Sequence, residues 1–371
     1  MFRVTLLAVA STGVMFGFSG CSSDGDVDDT ADSAVVGNCD SAVGHCYAVV
    51  STVAGDYSTG SFAQVSLDDW RIEDVLFQTS TDPVVTAEDN MVFQINRLGA
   101  DNVRRYEPGV WEAPIWEMSL GDAANPHDVE VCGGDLYATL YSHDYLGVYD
   151  VQSGTLKGSV DLSAFADTDG LSPEASQLVE IDGMLYVGLQ RLDTTAGWKS
   201  EGSVVVEVDC AEMAVSRSWS VGGNINLSAW PGSGKLLAGV EAYGEDVAGI
   251  YVIDPQADAV SLLVESVEST VTGIATDGEK AIAVTSADDG SNYSLHCVDL
   301  TMGEMTLLEE TQSYLNSISA NDRGEAWLTA GSSWMDPSAP TGVFVYDIAA
   351  CVGLSELPLR FSMLPTRVAF Y

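Results

Sequence analysis

The chain has few basic residues, since 14 Lys and Arg stand against 55 Asp and Glu in 371 residues, for a formal net charge of −41. A field of that sign repels nucleic acid and anionic lipid surfaces, so neither is a favoured partner, whereas metal ions and cationic partners are attracted. Histidine is scarce too, with four residues, and no G-x-S-x-G or H-E-x-x-H motif occurs. These absences leave few ways to build hydrolytic machinery, and no catalytic residue is assigned.

Helical periodicity of useful length is also missing. Apolar alternation bounded by Gly, Asp, Asn and Pro indicates strands throughout the chain. Residues 125–137 have the pattern of a strand, a tight turn and a second strand, and residues 177–187 repeat that pattern. A self-similarity with a period of about fifty residues, built only from strands, predicts a β-propeller.

Cutting the chain at this repeat gives six complete units: residues 75–121, 125–170, 172–222, 224–267, 270–311 and 314–363. Residues 46–74 hold three further strands but lack a first one. Residues 364–371 form a lone strand that aligns with the first strand at 125–131. We therefore predict an all-β fold over residues 45–371, a seven-bladed β-propeller closed by the C-terminal strand joining the N-terminal blade.

The connections divide the predicted propeller into two faces. Tight hairpin turns join the first strand to the second and the third to the fourth, as at Asp182-Gly183 and Ser153-Gly154. The loop-rich face carries the other connections, and its longest loops span residues 192–203, 241–247, 287–294 and 332–341. Such loops are typical of binding surfaces, although variable loops without a function look the same. Each loop holds an aromatic candidate ligand contact: Trp198, Tyr243, Tyr293 and Trp334.

Other aromatic residues recur within the second strands and are predicted to pack between blades: Phe93, Tyr137, Tyr186 and Trp327. Two His-Asp pairs, His127-Asp128 and His143-Asp144, begin the first strand and end the second strand of one blade. Imidazole beside carboxylate suits a zinc site, a general base, or a capping and inter-blade hydrogen-bond role. At a rise of about 3.3 Å per residue the histidines stand roughly 11 Å apart, so a shared divalent metal needs a third ligand from another blade.

Arginine collects toward the same mouth of the predicted ring. Arg97 and Arg191 occupy equivalent places at the ends of second strands, and Arg367 occupies the Asp128 position of the closing blade. This arrangement favours either an anionic ligand held by bidentate contacts or ion pairing with the many local carboxylates.

The N-terminus resembles a bacterial lipoprotein signal. Arg3 precedes an apolar run, residues 4–18, that is too short to span a bilayer, and the small-residue box ends at Cys21. The resemblance implies that residues 1–20 are a signal peptide, that Cys21 is lipidated, and that the protein is anchored in the bacterial outer membrane, facing the periplasm or the cell surface. Residues 21–44 have too few apolar residues to order themselves and are predicted to form a flexible acidic tether.

Seven cysteines become six once Cys21 is set aside, which is an even number in an oxidising compartment. Cys39 and Cys46 are close enough to form a small disulfide loop. The other four cannot be paired from the sequence: Cys132, Cys210, Cys297 and Cys351. No CxxC occurs, so a redox or zinc site of that type has no support. The last blade lacks the usual glycine in its outer turn, so a disulfide at Cys351 is expected to shape that turn.

The middle of the chain contains the motif Asn125-Pro126-His127-Asp128-Val129 and the segments 136–137, 146–155, 160–167 and 186–193, and the blade pattern extends over 75–371. In these motifs the chain is similar to the YVTN-type, surface-layer-like seven-bladed propeller lipoproteins of bacteria. The resemblance implies an exported and usually non-enzymatic protein that binds ligands or partners. It carries over no catalytic residue, because the shared motif is structural.

We therefore expect a lipid-anchored, monomeric propeller that binds a small or polymeric ligand, or a protein, on its loop-rich face. One alternative is a metal-dependent, lactonase-like hydrolase that uses carboxylates or His127 around a divalent metal in the channel. Another is a surface scaffold or adhesion protein with no small ligand. The fold does not choose between them, since propellers host unrelated activities. A deep central funnel favours a small ligand, whereas a plugged channel favours a protein partner.

Overall fold

The computed structural model describes residues 44–371, except Asp89, Trp198, Glu201 and the segments 167–171, 194–196, 243–245, 288–291 and 333–335. Within these ranges the structure is built of strands, with one short 3₁₀ helix at Ser163–Phe165. None of the described helical residues forms a segment long and apolar enough to cross a membrane.

The strands group into seven blades, which we number in chain order. Blade 1 begins with four strands: β1 (Tyr47–Val53), β2 (Gly60–Ser66), β3 (Ile72–Glu73) and β4 (Gln78–Thr79). Blade 2 contains β5 (Pro83–Glu88), β6 (Met91–Asn96), β7 (Asn102–Tyr106) and β8 (Trp116–Ser119). Blade 3 contains β9 (Val129–Cys132), β10 (Asp135–Ala138), β11 (Tyr145–Asp150) and β12 (Leu156–Asp161).

Blade 4 contains β13 (Ala175–Ile181) and β14 (Met184–Leu189), a small loop hairpin of β15 (Leu192–Asp193) and β16 (Lys199–Ser200), then β17 (Val204–Asp209) and β18 (Ala214–Ser220). Blade 5 contains β19 (Asn224–Trp230), β20 (Lys235–Glu241), β21 (Gly249–Asp254) and β22 (Ala259–Glu265). Blade 6 contains β23 (Thr270–Thr276), β24 (Lys280–Ser286), β25 (Tyr293–Asp299) and β26 (Glu304–Thr311). Blade 7 contains β27 (Tyr314–Ala320), β28 (Glu325–Gly331), β29 (Gly342–Asp347) and β30 (Val352–Gly353), and the chain ends with β31 (Leu364–Phe370).

The C-terminal strand closes the ring, as the sequence predicts. Strand β31 pairs antiparallel with β1, from Ala48 opposite Phe370 to Val53 opposite Leu364. The strand order of blade 1 is therefore β3-β2-β1-β31, with the last strand of the chain nearest the axis. Because the first and last described strands share one sheet, the described ring has no open blade edge between its first and last modules.

The boundary between the first two blades differs from the prediction. Strand β4 pairs with β2, so the residues up to Thr79 belong to blade 1 and not to blade 2. The outer edge of blade 1 is split because Val75 adopts a positive φ of 55° and its amide donates to the carboxylate of Asp74. The chain turns away from the sheet there and returns to it at Gln78.

The hairpin turns nearest the axis follow from their residues. In both copies of the repeat, the two residues between the paired strands have positive φ: Gly133 and Gly134 in blade 3, Asp182 and Gly183 in blade 4. That conformation matches the right-handed twist of the flanking strands, and Gly and Asp tolerate it.

The core consists of seven apolar layers, one between each pair of neighbouring blades. Strand β14 shows why: Leu185 and Val187 pack against blade 3, whereas Tyr186 packs against blade 5. Successive side chains of a strand point to opposite faces, so a sheet with a neighbour on each side is apolar in both registers. The predicted packing of the recurrent aromatic residues between blades is confirmed: Phe93, Tyr137, Tyr186 and Trp327.

Two disulfides join neighbouring blades. Cys132 pairs with Cys210 between blades 3 and 4, and Cys297 pairs with Cys351 between blades 6 and 7. Cys351 has a positive φ of 55° at the outer turn of blade 7, so a disulfide does shape the turn that lacks glycine. Cys46 is also disulfide-bonded. The predicted pairing of Cys46 with Cys39 lies outside the described residues.

Candidate ligand-binding channel

A cavity of ≈ 530 Å³ lies along the axis and is lined by the innermost strands of all seven blades. Tyr57, from the β1–β2 loop, and Tyr314, at the start of β27, line it and are 64% and 45% exposed. The cavity therefore reaches solvent at the end of the ring that carries the longer loops. Its other neutral polar lining residues include Ser176, Gln177, Gln190, Asn226, Ser228, Thr272, Asn316, Ser317, Ser319 and Thr366.

Equivalent positions on the inner strands form a ring of side chains around this cavity. Several of them hold the backbone of the following blade. Asp128 Oδ2 accepts from the Leu178 amide at 3.1 Å, and Gln177 Oε1 accepts from the Leu227 amide at 2.6 Å. Asn226 and Asn316 use their Nδ2 groups to donate to the carbonyls of Thr272 and Pro365, at 2.6 and 3.0 Å. The channel wall is thus a belt of inter-blade hydrogen bonds, which fixes the positions of its side chains.

Each side-chain amide in the belt uses one heteroatom for that bond. Within the described part of the chain, the other heteroatom makes no hydrogen bond in Gln177 (Nε2), Asn226 (Oδ1) and Asn316 (Oδ1). These residues line the cavity, so the belt leaves both donors and acceptors free for a bound molecule.

The charged side chains of the cavity lie on blades 1 to 3 and are paired. Arg97 Nη2 lies 2.7 Å from Asp82 Oδ1, and Arg367 Nη2 lies 3.1 Å from Asp128 Oδ1. Arg367 belongs to blade 1 and Asp128 to blade 3, so this ion pair crosses part of the channel past blade 2. The expectation of ion pairing with local carboxylates is the one that the geometry supports for both arginines. Arg97 Nε and Asp128 Oδ1 are buried and make no hydrogen bond among the described residues, so Asp128 Oδ1 meets Arg367 as an ion pair only.

His127 lines the same side of the cavity. Its ring stacks on Tyr141, with centroids 4.1 Å apart and planes at 11°. Burial, followed by the nearby guanidinium groups of Arg97 and Arg367, lowers the pKa of His127 to about 3. The imidazole is therefore neutral at neutral pH, with one donor and one acceptor nitrogen. Neither nitrogen is bonded to a described side chain, so both are available to a ligand.

No protein-family model and no curated protein matches the sequence. Several solved structures do. The chain is similar to hydrazine synthase from Kuenenia stuttgartiensis, with a TM-score of 0.56 and 13% identity over 80% of this chain and 94% of that chain. It is similar to apo AztD from Citrobacter koseri, with a TM-score of 0.53 and 13% identity over 88% and 98% of the two chains.

A functionally unknown protein from Desulfotomaculum acetoxidans is similar as well, with a TM-score of 0.55 and 12% identity over 86% of this chain and 99% of that chain. At these identities the likeness concerns the fold alone. Together with the sheet topology, it makes the chain a seven-bladed β-propeller.

Three further predicted site residues do not line the cavity: His143, Arg191 and Tyr293. His143 stacks on Tyr145 at 5.4 Å and does not line the cavity. Arg191 donates to the carbonyls of Phe165 and Gly202 and does not line the cavity either. Tyr293 is buried, and its ring meets the edge of Tyr314 at 5.6 Å. Three predicted contacts and the lipidation site fall outside the described residues: Trp198, Tyr243, Trp334 and Cys21.

A divalent metal was one possibility for the two histidines. The structure brings His127 and not His143 into the cavity. Among the described residues, no group of three or more His, Cys, Asp and Glu side chains could hold a metal ion.

An acidic pair lies deeper, toward the tight-turn face. Glu88 Oε2, at the end of β5, accepts from the Val131 amide at 2.9 Å, and Glu130 on β9 hydrogen-bonds to the Glu88 side chain. Burial, and then the charges of Glu88 and Asp128, raise the pKa of Glu130 well above its usual range. The Glu88–Glu130 pair therefore keeps a proton above the pH at which a free glutamate loses it.

Proposed function

We propose that this protein is an exported, lipid-anchored β-propeller that binds a ligand in its central channel without catalysing a reaction. The observation that carries the proposal is the open axial cavity with unpaired polar atoms on its wall. Its ≈ 530 Å³ falls within the range of small-molecule sites, about 300–1,000 Å³. A pocket of this volume favours a small ligand over a scaffold role.

The chemistry of the wall favours binding over catalysis. A catalytic histidine base is oriented in Ser-His-Asp triads by a carboxylate that bonds to its second nitrogen. His127 has no such bond with a described residue, and the two carboxylates of the cavity, Asp82 and Asp128, are engaged by Arg97 and Arg367. Both carboxylates that hydrolysis would use are thus held in ion pairs, and His127 lacks an orienting carboxylate among the described residues.

Export and anchoring are proposed from the sequence. The segment that ends at Cys21 has the pattern of a lipoprotein signal, and the acidic residues after it suit a tether. Disulfides between blades 3 and 4 and between blades 6 and 7 are consistent with an oxidising compartment.

The test compares two histidine variants that differ in their place relative to the cavity. His127→Trp keeps an aromatic ring on Tyr141 and fills channel volume, whereas His143→Trp keeps a ring on Tyr145 outside the cavity. Wild-type protein and both variants are purified from their native membrane and denatured, and the released small molecules are measured by mass spectrometry. We expect one compound in the wild type and in His143→Trp that is lost in His127→Trp. Equal small-molecule content in all three contradicts the proposal.

A further inference from the structure

We propose that the ligand of the channel is uncharged and rich in hydroxyl groups, of the size of a mono- or disaccharide. This inference rests on the proposed function, because it names the ligand class of the same cavity. Three features of the wall carry it: its charge balance, its free hydrogen-bonding atoms and its aromatic rim.

Charge on the wall is compensated pair by pair. The cavity is lined by two arginines and two aspartates, joined as Arg97 with Asp82 and Arg367 with Asp128. An anion must compete with a carboxylate already in place, and a cation must compete with a guanidinium. Breaking a partly buried pair leaves the displaced group uncompensated, which is strongly unfavourable. An anion is also repelled on approach by a chain of net charge −41.

The atoms that are left free are a mixture of donors and acceptors. Gln177 Nε2 is a donor, and the Oδ1 atoms of Asn226 and Asn316 are acceptors. The neutral ring of His127 adds one of each. A hydroxyl group both donates and accepts, so a molecule with several hydroxyls can satisfy such a mixed wall from one position. A carboxylate or an ammonium group, which only accepts or only donates, cannot.

The rim supplies apolar surface. Tyr57 on blade 1 and Tyr314 on blade 7 belong to adjacent blades and are exposed at the mouth. A tyrosine presents an apolar ring face beside a polar tip, which suits the C–H face of a sugar ring and its hydroxyl edge. The described wall therefore combines one aromatic edge with a polar interior.

The test is saturation-transfer NMR on the mature full-length protein with named probes. The neutral probes are glucose, galactose, mannose, trehalose, sucrose and myo-inositol, and the charged probes are citrate, spermidine and glycine betaine. We expect saturation transfer to at least one neutral probe, unchanged by added salt, retained in His143→Trp and lost in His127→Trp. Saturation transfer that is confined to a charged probe and is lost in His127→Trp overturns the ligand class while the proposed function stands.

If no probe binds, the ligand class is tested by the compound that the native protein releases on denaturation. A neutral, polyhydroxylated compound supports the inference, and a charged or hydroxyl-free compound overturns it. If no compound is released and no probe binds, the proposed function fails and this inference fails with it.

Two exposed variants guard against a folding defect in His127→Trp. Tyr57→Ala and Tyr314→Ala remove rim rings whose exposure makes them tolerant of substitution. Each is expected to weaken binding of the neutral probe roughly threefold to tenfold through lost ring contact. Unchanged affinity in both variants contradicts the proposed contact between the ligand and the rings of Tyr57 and Tyr314.

Discussion

Deletion of residues 364–371 should destroy the closed ring. Four buried residues leave with this segment, and three of them carry large apolar side chains: Val368, Phe370 and Tyr371, which are 2%, 7% and 9% exposed. Each buried side chain of this kind contributes about 1.5–3 kcal/mol, so the loss is roughly 5–9 kcal/mol before the backbone pairing with β1 is counted. A typical domain has a stability of about 5–15 kcal/mol, so the deletion removes most or all of it.

The assay is urea unfolding followed by near-ultraviolet circular dichroism, with limited proteolysis as a second probe. We expect the truncated chain to lose its near-ultraviolet signal without denaturant, and a synthetic peptide of residues 363–371 to restore part of it by pairing with β1. A matched pair of point variants tests the same interface more gently. Phe370→Ala, whose ring meets Trp327 at 5.6 Å, should cost about 3–5 kcal/mol, whereas Leu357→Ala, at an exposed position, should cost little.

A truncated chain that unfolds at the wild-type urea midpoint, with an unchanged near-ultraviolet spectrum, would refute this reasoning. It would mean that the pairing of β31 with β1 is not needed to hold the seven sheets together. Equal losses of stability in Phe370→Ala and Leu357→Ala would also refute it, because Phe370 is buried between blades 7 and 1 whereas Leu357 is exposed.

Three other outcomes are expected. Burial raises the pKa of Glu130 in the folded chain, so wild-type stability should fall as pH rises above the usual glutamate pKa toward the raised one. The urea midpoint of Glu130→Gln should therefore equal that of the wild type in acid and exceed it at neutral pH. A difference between the two midpoints that does not change with pH contradicts this. Arg367→Met leaves the Asp128 carboxylate buried and unpaired and should cost about 3–5 kcal/mol, partly recovered by adding Asp128→Asn; no recovery speaks against the ion pair. Cys21→Ser should abolish palmitate labelling and move the protein from the membrane to the soluble fraction, and unchanged fractionation argues against the anchor.

The site shows how far prediction from sequence reached. His127, Asp128, Arg97 and Arg367 were predicted at one mouth and do line one cavity. The signal for them was local, because histidine and arginine are scarce and both Arg97 and His127 stand beside strand ends. The neutral belt residues, such as Asn226 and Asn316, were not predicted. Ser, Thr, Asn and Gln are common at strand starts. The belt residues differ from the others only because they occupy equivalent positions on successive inner strands.

The sequence by itself determined the repeat, the number of blades and the closing strand. These depend on local rules: a period of two along each strand, Gly and Asp at hairpin turns, and apolar side chains in both registers where a sheet has two neighbours. Residues 125–137 and 177–187 obey those rules, and their pattern predicts the architecture without knowledge of contacts between distant residues.

Only the tertiary structure decided which distant side chains meet. Arg367 reaches past blade 2 to Asp128, and Cys132 meets Cys210 rather than another cysteine. The physical reason is that ring closure and blade twist set the distance across the axis, and neither is encoded in the spacing of any single motif. The same geometry leaves one end of each belt amide free, and so determines what the channel can bind.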